Sequence, residues 1–253
     1  SGWFCYLTGR CINALNYLKK KPDSVDFVSL CGTRGNLSEE QKKDLKFFQE
    51  IKGGKALLCW IVQDLGDQMT PPGQEPKKYW IEEKGGGNSV EGVKAYANAS
   101  CDTIEKYNLD GFDIDYEPGY GHSGSMANGE MISENSGNTD MFVFIKTLSD
   151  RLRPAGRMLV MDGQPEKLST EASKYIDHYI YQAYWERSTA QVIRIINQPH
   201  LEIWERKTII TVEFEQGWQT GGVDEYTSVR PEINAYPEGR QIFDYATLDL
   251  PDG

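Results

Sequence analysis

The segment Leu109-Asp110-Gly111-Phe112-Asp113-Ile114-Asp115-Tyr116-Glu117-Pro118 sets three carboxylates at every second position. On a β-strand, Asp113, Asp115 and Glu117 then share one face and Phe112, Ile114 and Tyr116 the other, because side chains alternate across a strand. The apolar set can pack beneath helices, which aims the acidic set into an enclosed interior. Like charges in a confined space raise one another's pKa, so at least one proton stays on the cluster at neutral pH. That makes an acid. Glu117, outermost and followed by Pro118-Gly119, is the carboxyl best placed to protonate a substrate oxygen, with Asp115 and Asp113 behind it to share and relay the proton. The competing reading is a hydrated or metal-bound acidic strand; hard cations usually draw oxygen ligands from loops, and no Gly-punctuated binding loop accompanies these residues.

Such a strand belongs at the centre of a parallel sheet, and the rest of the chain supplies one. Seven short runs rich in β-branched and aromatic residues recur, at 3–8, 25–31, 56–62, 111–117, 158–161, 178–184 and 208–214. Between them lie stretches with helical spacing: 37–51, with Ser38 as N-cap and Leu45, Phe47 and Phe48 as apolar positions, then 90–107 and 140–153. Alternating strands and helices are the signature of βαβ units, since parallel strands need crossovers. The fold class expected is α/β, a TIM (β/α)8 barrel, with residues 1–253 forming one catalytic domain. Its eighth strand is the weak point. Residues 241–250 are apolar enough to form it, yet they run into Pro251-Asp252-Gly253, so a barrel truncated at that strand stays open beside the complete one.

Three segments read as long loops after strands: 67–87 with Pro71-Pro72-Gly73 and Gly85-Gly86-Gly87, 118–139, and 217–237. In a barrel such loops build the active-site face, which suits an extended substrate. The triple glycine has no Lys-Ser or Lys-Thr after it, which argues against a phosphate loop. A net charge of −11 disfavours nucleic acid and anionic lipid as partners and suits a neutral glycan. Lys19-Lys20-Lys21 before Pro22 reads as a solvated helix end. No run approaches the roughly 20 apolar residues of a membrane span, and Ser1-Gly2-Trp3 opens directly in folded-type sequence, as if an export signal were removed or never existed. Five cysteines, several inside apolar runs, predict no disulfide framework, and no CxxC pair or His spacing predicts a metal or other cofactor.

Asp110-x-x-Asp113-x-Asp115-x-Glu117 resembles, at every position, the DxxDxDxE signature of glycoside hydrolase family 18, the chitinases and endo-β-N-acetylglucosaminidases, and it falls on the fourth expected strand. The resemblance implies that Glu117 is the acid/base, that Asp115 holds the substrate's 2-acetamido group and that Asp113 supports Asp115, while Asp110 looks structural. It also implies the nucleophile: the acetamido oxygen of the substrate, attacking in a retaining mechanism through an oxazolinium ion, an exception to the two-carboxylate scheme.

On the sixth strand Tyr181-Gln182-Ala183-Tyr184 puts Gln182 and Tyr184 on one face. The endo-β-N-acetylglucosaminidase branch is similar here, with a Gln-x-Tyr pair where chitinases typically carry Tyr-Asp. The chitinase SxGG pattern of the third strand is absent, and Leu58-Cys59-Trp60-Ile61-Val62 stands in its place. Both features resemble the secreted bacterial enzymes that cut the N,N′-diacetylchitobiose core of N-linked glycans. They imply an N-glycan or glycoprotein substrate and a secreted, cell-surface or periplasmic location. The family's eighth-strand aromatic is not located. Tyr120, Trp185 and Trp218 follow strands where aromatic rings could stack on sugar faces. His122 reads as a loop residue rather than a second acid/base. A chitinase acting on chitin oligomers, or a glycan-binding barrel without turnover, are the competing readings; the intact Glu117 argues against the second.

Overall fold

A computed structural model of the chain describes residues 2–5, 17–23, 25–32, 36–122, 124–126, 140–182 and 208–211. Within them seven strands form one sheet in chain order: β1 (Gly2–Cys5), β2 (Phe27–Cys31), β3 (Lys55–Ile61), β4 (Gly111–Tyr116), β5 (Met158–Gly163), β6 (His178–Gln182) and β7 (Thr208–Thr211). Each neighbouring pair is parallel. This is the wall of a partial TIM-type barrel. Each of the seven expected runs overlaps a strand; residues 241–250, the candidate for an eighth, and the loop 217–237 lie outside the described residues.

Three helices of the expected set cover the sheet: α1 (Glu39–Glu50), α2 (Ser89–Lys106) and α3 (Asp140–Leu152); a short α4 (Thr170–Ser173) precedes β6. Ser38 does cap α1: its hydroxyl accepts from the Gln41 amide at 3.2 Å, and the Gln41 side chain returns to the Ser38 amide at 2.8 Å. The two bonds satisfy amide groups that the first turn leaves open. Leu45 and Phe48 are buried, three residues apart on one helix face, but Phe47 is 40% exposed. Two residues on from Leu45 turns about 200° around the axis, which points Phe47 at solvent.

Phe112, Ile114 and Tyr116 of β4 are fully buried in the layer between sheet and helices. Phe112 meets the Trp60 ring edge-on at 4.8 Å between centroids, and Tyr96 of α2 stacks on Phe144 of α3 at 4.8 Å. On the other face of the sheet, Phe27, Leu57, Val160 and Ile180 form a second apolar cluster with Met158 and Ile209 against it.

Two local readings need correction. The segment 67–87 is not all loop, since Lys78–Lys84 is a π-helical turn. Its anchor is Trp80, buried, donating its indole N–H to the Thr70 hydroxyl at 2.9 Å and tilted against Tyr96; burying a large ring outweighs the Pro and Gly punctuation on either side. Strand β5 also runs two residues past Met161, so that Asp162 pairs with Asp115 and Gly163 with Tyr116. Asp-Gly is a turn signal in isolation, but here the ladder to β4 carries it onward.

Candidate active site

The strand period places the β4 carboxylates as the alternation requires. Asp113 is fully buried, Asp115 is partly buried, and the Glu117 side chain keeps 15% exposure at the C-terminal end of the strand. β4 ends at Tyr116, and Glu117 leads into the 3-10 turn Pro118–Tyr120. That turn is pinned by the Gly119 amide, which donates to the Gln164 side chain at 2.5 Å. Glu117 can lie against β5 because residue 163 is glycine: its φ is +88°, and a Cβ there would sit 2.4 Å from the Tyr116 carbonyl oxygen and 3.0 Å from Glu117 Cγ.

Asp110, at the start of the motif, faces away from this chemistry. Its carboxylate accepts from the Ala56 amide at 2.8 Å and the Gln49 amide at 2.7 Å, tying β4 to β3 and α1. Its role is structural.

The interior around Asp113 holds more acid than the motif announced. Asp162 of β5 is fully buried beside Asp113 and Asp115, and Asp115 and Asp162 share a side-chain hydrogen bond. The Ser29 hydroxyl of β2 donates to Asp113. Burial lifts Asp113 from 3.8 to about 7, with the Ser29 hydroxyl opposing it. Burial first and the Glu117 charge next lift Asp115 to about 8. Burial, then Asp113 and Asp115, hold Asp162 well above the usual carboxylate range. The cluster therefore keeps protons at neutral pH, which is the condition for acid chemistry.

Cys59 faces the same interior, and its sulfur lies within 4.8 Å of a carboxylate oxygen of both Asp113 and Asp162. These three are the residues that could hold an ion among those described. Each is buried and shifted toward its protonated form; at Cys59 a hydrogen bond with Cys31 opposes the shift, and burial together with the nearby aspartates outweighs it. Cys31, Cys59 and Cys101 are free thiols, as the sequence implied for these positions.

His122 Nδ1 lies 2.9 Å from Glu117 Oε2, although the ring N–H is not aligned into a hydrogen bond. The histidine read as a plain loop residue thus sits against the candidate acid. Gln182, at the end of β6, is buried with no acceptor for its Nε2. Tyr120 is 43% exposed on the turn that follows Glu117. Tyr184, Trp185 and Trp218 lie outside the described residues. Ser29 and Asp162 are the members that sequence reading missed; the signal for Asp162 was an acidic residue two positions beyond the apolar Val160, on the inward face of a strand.

A cavity of about 840 Å³ opens beside the site, bounded by Gln63, Asp64 and Asp67 after β3, Glu75 and Lys77 before the π-turn, and Gly124-Ser125 after β4. The loops after β3 and β4 meet there, with Asp64 accepting from the Ser125 amide at 2.8 Å. None of the β4 carboxylates lines it.

A family model described as glycoside hydrolase family 18, BT1044-like, matches residues 1–235. Among solved structures, a selenomethionine form of BT1044 carrying one glutamate-to-glutamine substitution is 72% identical, covering 99% of this chain and 76% of that one at a TM-score of 0.87. A family 18 chitinase from Pseudoalteromonas aurantia (17% identity, 83% and 78% coverage, TM-score 0.50) and a chitinase from Bacteroides thetaiotaomicron (13%, 82% and 65%, 0.54) share the fold. No curated protein matches. The acidic fourth strand thus stands in a chain matched almost throughout by one family model and by a structure of high identity, and the chain belongs to glycoside hydrolase family 18.

Proposed function

We propose that this family 18 hydrolase is an endo-β-N-acetylglucosaminidase that cuts the β-1,4 bond of the N,N′-diacetylchitobiose core of N-linked glycans, retaining configuration through the substrate's own acetamido group. The observation that carries the reading is Gln182: a buried amide, on the strand where the resemblance puts the endoglycosidase glutamine, with its Nε2 lacking an acceptor. An unpaired buried donor costs free energy, and a sugar hydroxyl or acetamido carbonyl would satisfy it.

In this scheme Glu117 gives its proton to the bridging oxygen as the C1–O bond breaks. The acetamido oxygen attacks C1 and forms the oxazolinium ion, while Asp115 accepts the acetamido N–H and offsets the positive charge. Glu117, now a carboxylate, takes a proton from the water that adds to C1 and opens the ring. Asp113, held by Ser29, supports Asp115 from below. Glycan preference belongs to the loops after β3 and β4, which meet at the neighbouring cavity. A secreted or surface location goes with such a substrate, and fractionation of the native cells checks it.

The test is to incubate the protein with high-mannose, hybrid and complex glycoproteins and, in parallel, with chitin oligomers, then weigh the products. The expected product is a polypeptide retaining a single N-acetylglucosamine. Cleavage of chitin with every glycoprotein left intact would replace this reading with a chitinase, and binding without cleavage of either would leave a glycan-binding barrel.

A further inference from the structure

Strand β5 brings a carboxylate to the site that the signature does not contain. Asp162 is the register partner of Asp115, is fully buried, and has no amide, amine or hydroxyl donor at either oxygen among the described residues. Its hydrogen-bonding neighbour is Asp115 itself. Two carboxyl groups in that contact, both withdrawn from water, cannot both be ionised at tolerable cost, so one of them is an O–H donor to the other.

We propose that Asp162 is a positioning residue for the hydrolase: it keeps a proton at the centre of the cluster and donates its O–H to Asp115, leaving Asp115 free to face the substrate as an acceptor. The inference rests on reading Asp115 and Glu117 as the reacting carboxylates and does not depend on which glycan is cut.

Two contrasts put the proton on Asp162. Asp113 accepts from the Ser29 hydroxyl, which favours its ionised form, whereas Asp162 has no such donor. Asp115 is only partly buried at the mouth of the interior, whereas Asp162 is sealed. The other groups near Asp162 add no positive charge: Asp113 from β4, Cys59 from β3, Cys31 from β2, and the non-titrating Ile180, its register partner on β6.

The experiment measures kcat and KM across pH for the wild type, Asp162→Ala and Asp162→Asn, using whichever substrate the wild type cleaves, with Glu117→Gln in parallel. Asp162→Ala should lower kcat roughly 10- to 100-fold, the worth of one hydrogen bond to a charged group, with KM nearly constant. Its acid limb should move to higher pH, because Asp115 loses an O–H donor that favours its ionised form. Asp162→Asn keeps an N–H donor, so it should recover most of the lost kcat and leave the acid limb at or below its original position. Wild-type kcat in the Ala variant, or equal losses in Ala and Asn with an unmoved pH profile, would overturn the proposal. If the Ala variant does not fold by thermal melting, Asn decides alone: a kcat lowered about 10-fold or more, or an acid limb moved upward, overturns it. Turnover surviving in Glu117→Gln would instead overturn the underlying choice of acid, a failure separate from any result at Asp162.

Discussion

The lower interior layer, Phe27, Leu57, Val160 and Ile180, needs no partner beyond contact, whereas two residues further along the same strands stand Ser29, Cys59, Asp162 and Gln182. On β4 the same step leads from Gly111 to Asp113. A period of two keeps each pair on one face, so the change from apolar to polar marks a level in the barrel rather than a change of direction. The lower level is stabilised by burial at about 25 cal/mol per Å² of apolar surface. The upper level does the opposite: Asp113 Oδ1 and Gln182 Nε2 are buried without a hydrogen-bond partner, and the Asp162 oxygens have no amide, amine or hydroxyl donor among the described residues. Each such group costs on the order of 1–3 kcal/mol, so the pocket is kept by the packing around it and not by its own bonds. The difference teaches that fold stability and chemistry are divided by height along the strands, and substitutions should separate along that line.

The sharpest way to test the division is at its upper edge. Glu117→Gln removes the transferable proton and little volume, so turnover should fall by about 10³-fold or more while glycan binding persists. Single-turnover kinetics with a titration of uncut substrate distinguishes the two, and a variant that still cleaves at a substantial rate would return the acid role to another group. Thermal stability should barely move, because the Glu117 side chain is partly solvated.

Much of this division was legible before any coordinates. The upper level of β4 and its outward partners Phe112, Ile114 and Tyr116 follow from alternation alone, since a strand offers only two faces. Ser38 was legible because a cap is a local hydrogen-bonding problem. Asp162 and Ser29 were not, since neither sits in a motif and each acquires its role from a strand neighbour distant in sequence. His122 reads as a loop residue and is one; its place beside Glu117 was not legible, being set by the path of a turn. The π-turn at Lys78–Lys84 was hidden by flanking Pro and Gly, whose local preference loses to the burial of Trp80.

One level down, Leu57→Ala should reverse the pattern. The side chain is fully buried, and removing it leaves a cavity beneath the carboxylates at a cost of about 2–5 kcal/mol. Urea midpoints should drop accordingly, while kcat measured well below the melting range stays within a few-fold, because no polar partner is removed. A variant of unchanged stability would mean the lower layer collapses around the gap; one that is stable but inactive would show that the two levels are mechanically inseparable.

The smallest effect expected is a change in how stability varies with pH. Asp113 rises from 3.8 in its ordinary state to about 7 in the fold, so the folded chain binds more protons than the unfolded one between those values. Its contribution to stability is therefore complete below the ordinary value and is lost as pH rises through about 7. Ser29 moderates that loss by donating to the carboxylate. In Ser29→Ala, Asp113 moves higher still, and the stability difference between about pH 5 and about pH 8.5 should widen by about 1–2 kcal/mol. Asp113→Asn, which cannot ionise, should narrow the same difference. Urea unfolding of the three proteins at both pH values measures it directly. An equal loss at both pH values in Ser29→Ala would mean that the hydroxyl merely fills space, and that the interior tolerates the Asp113 charge without help from β2.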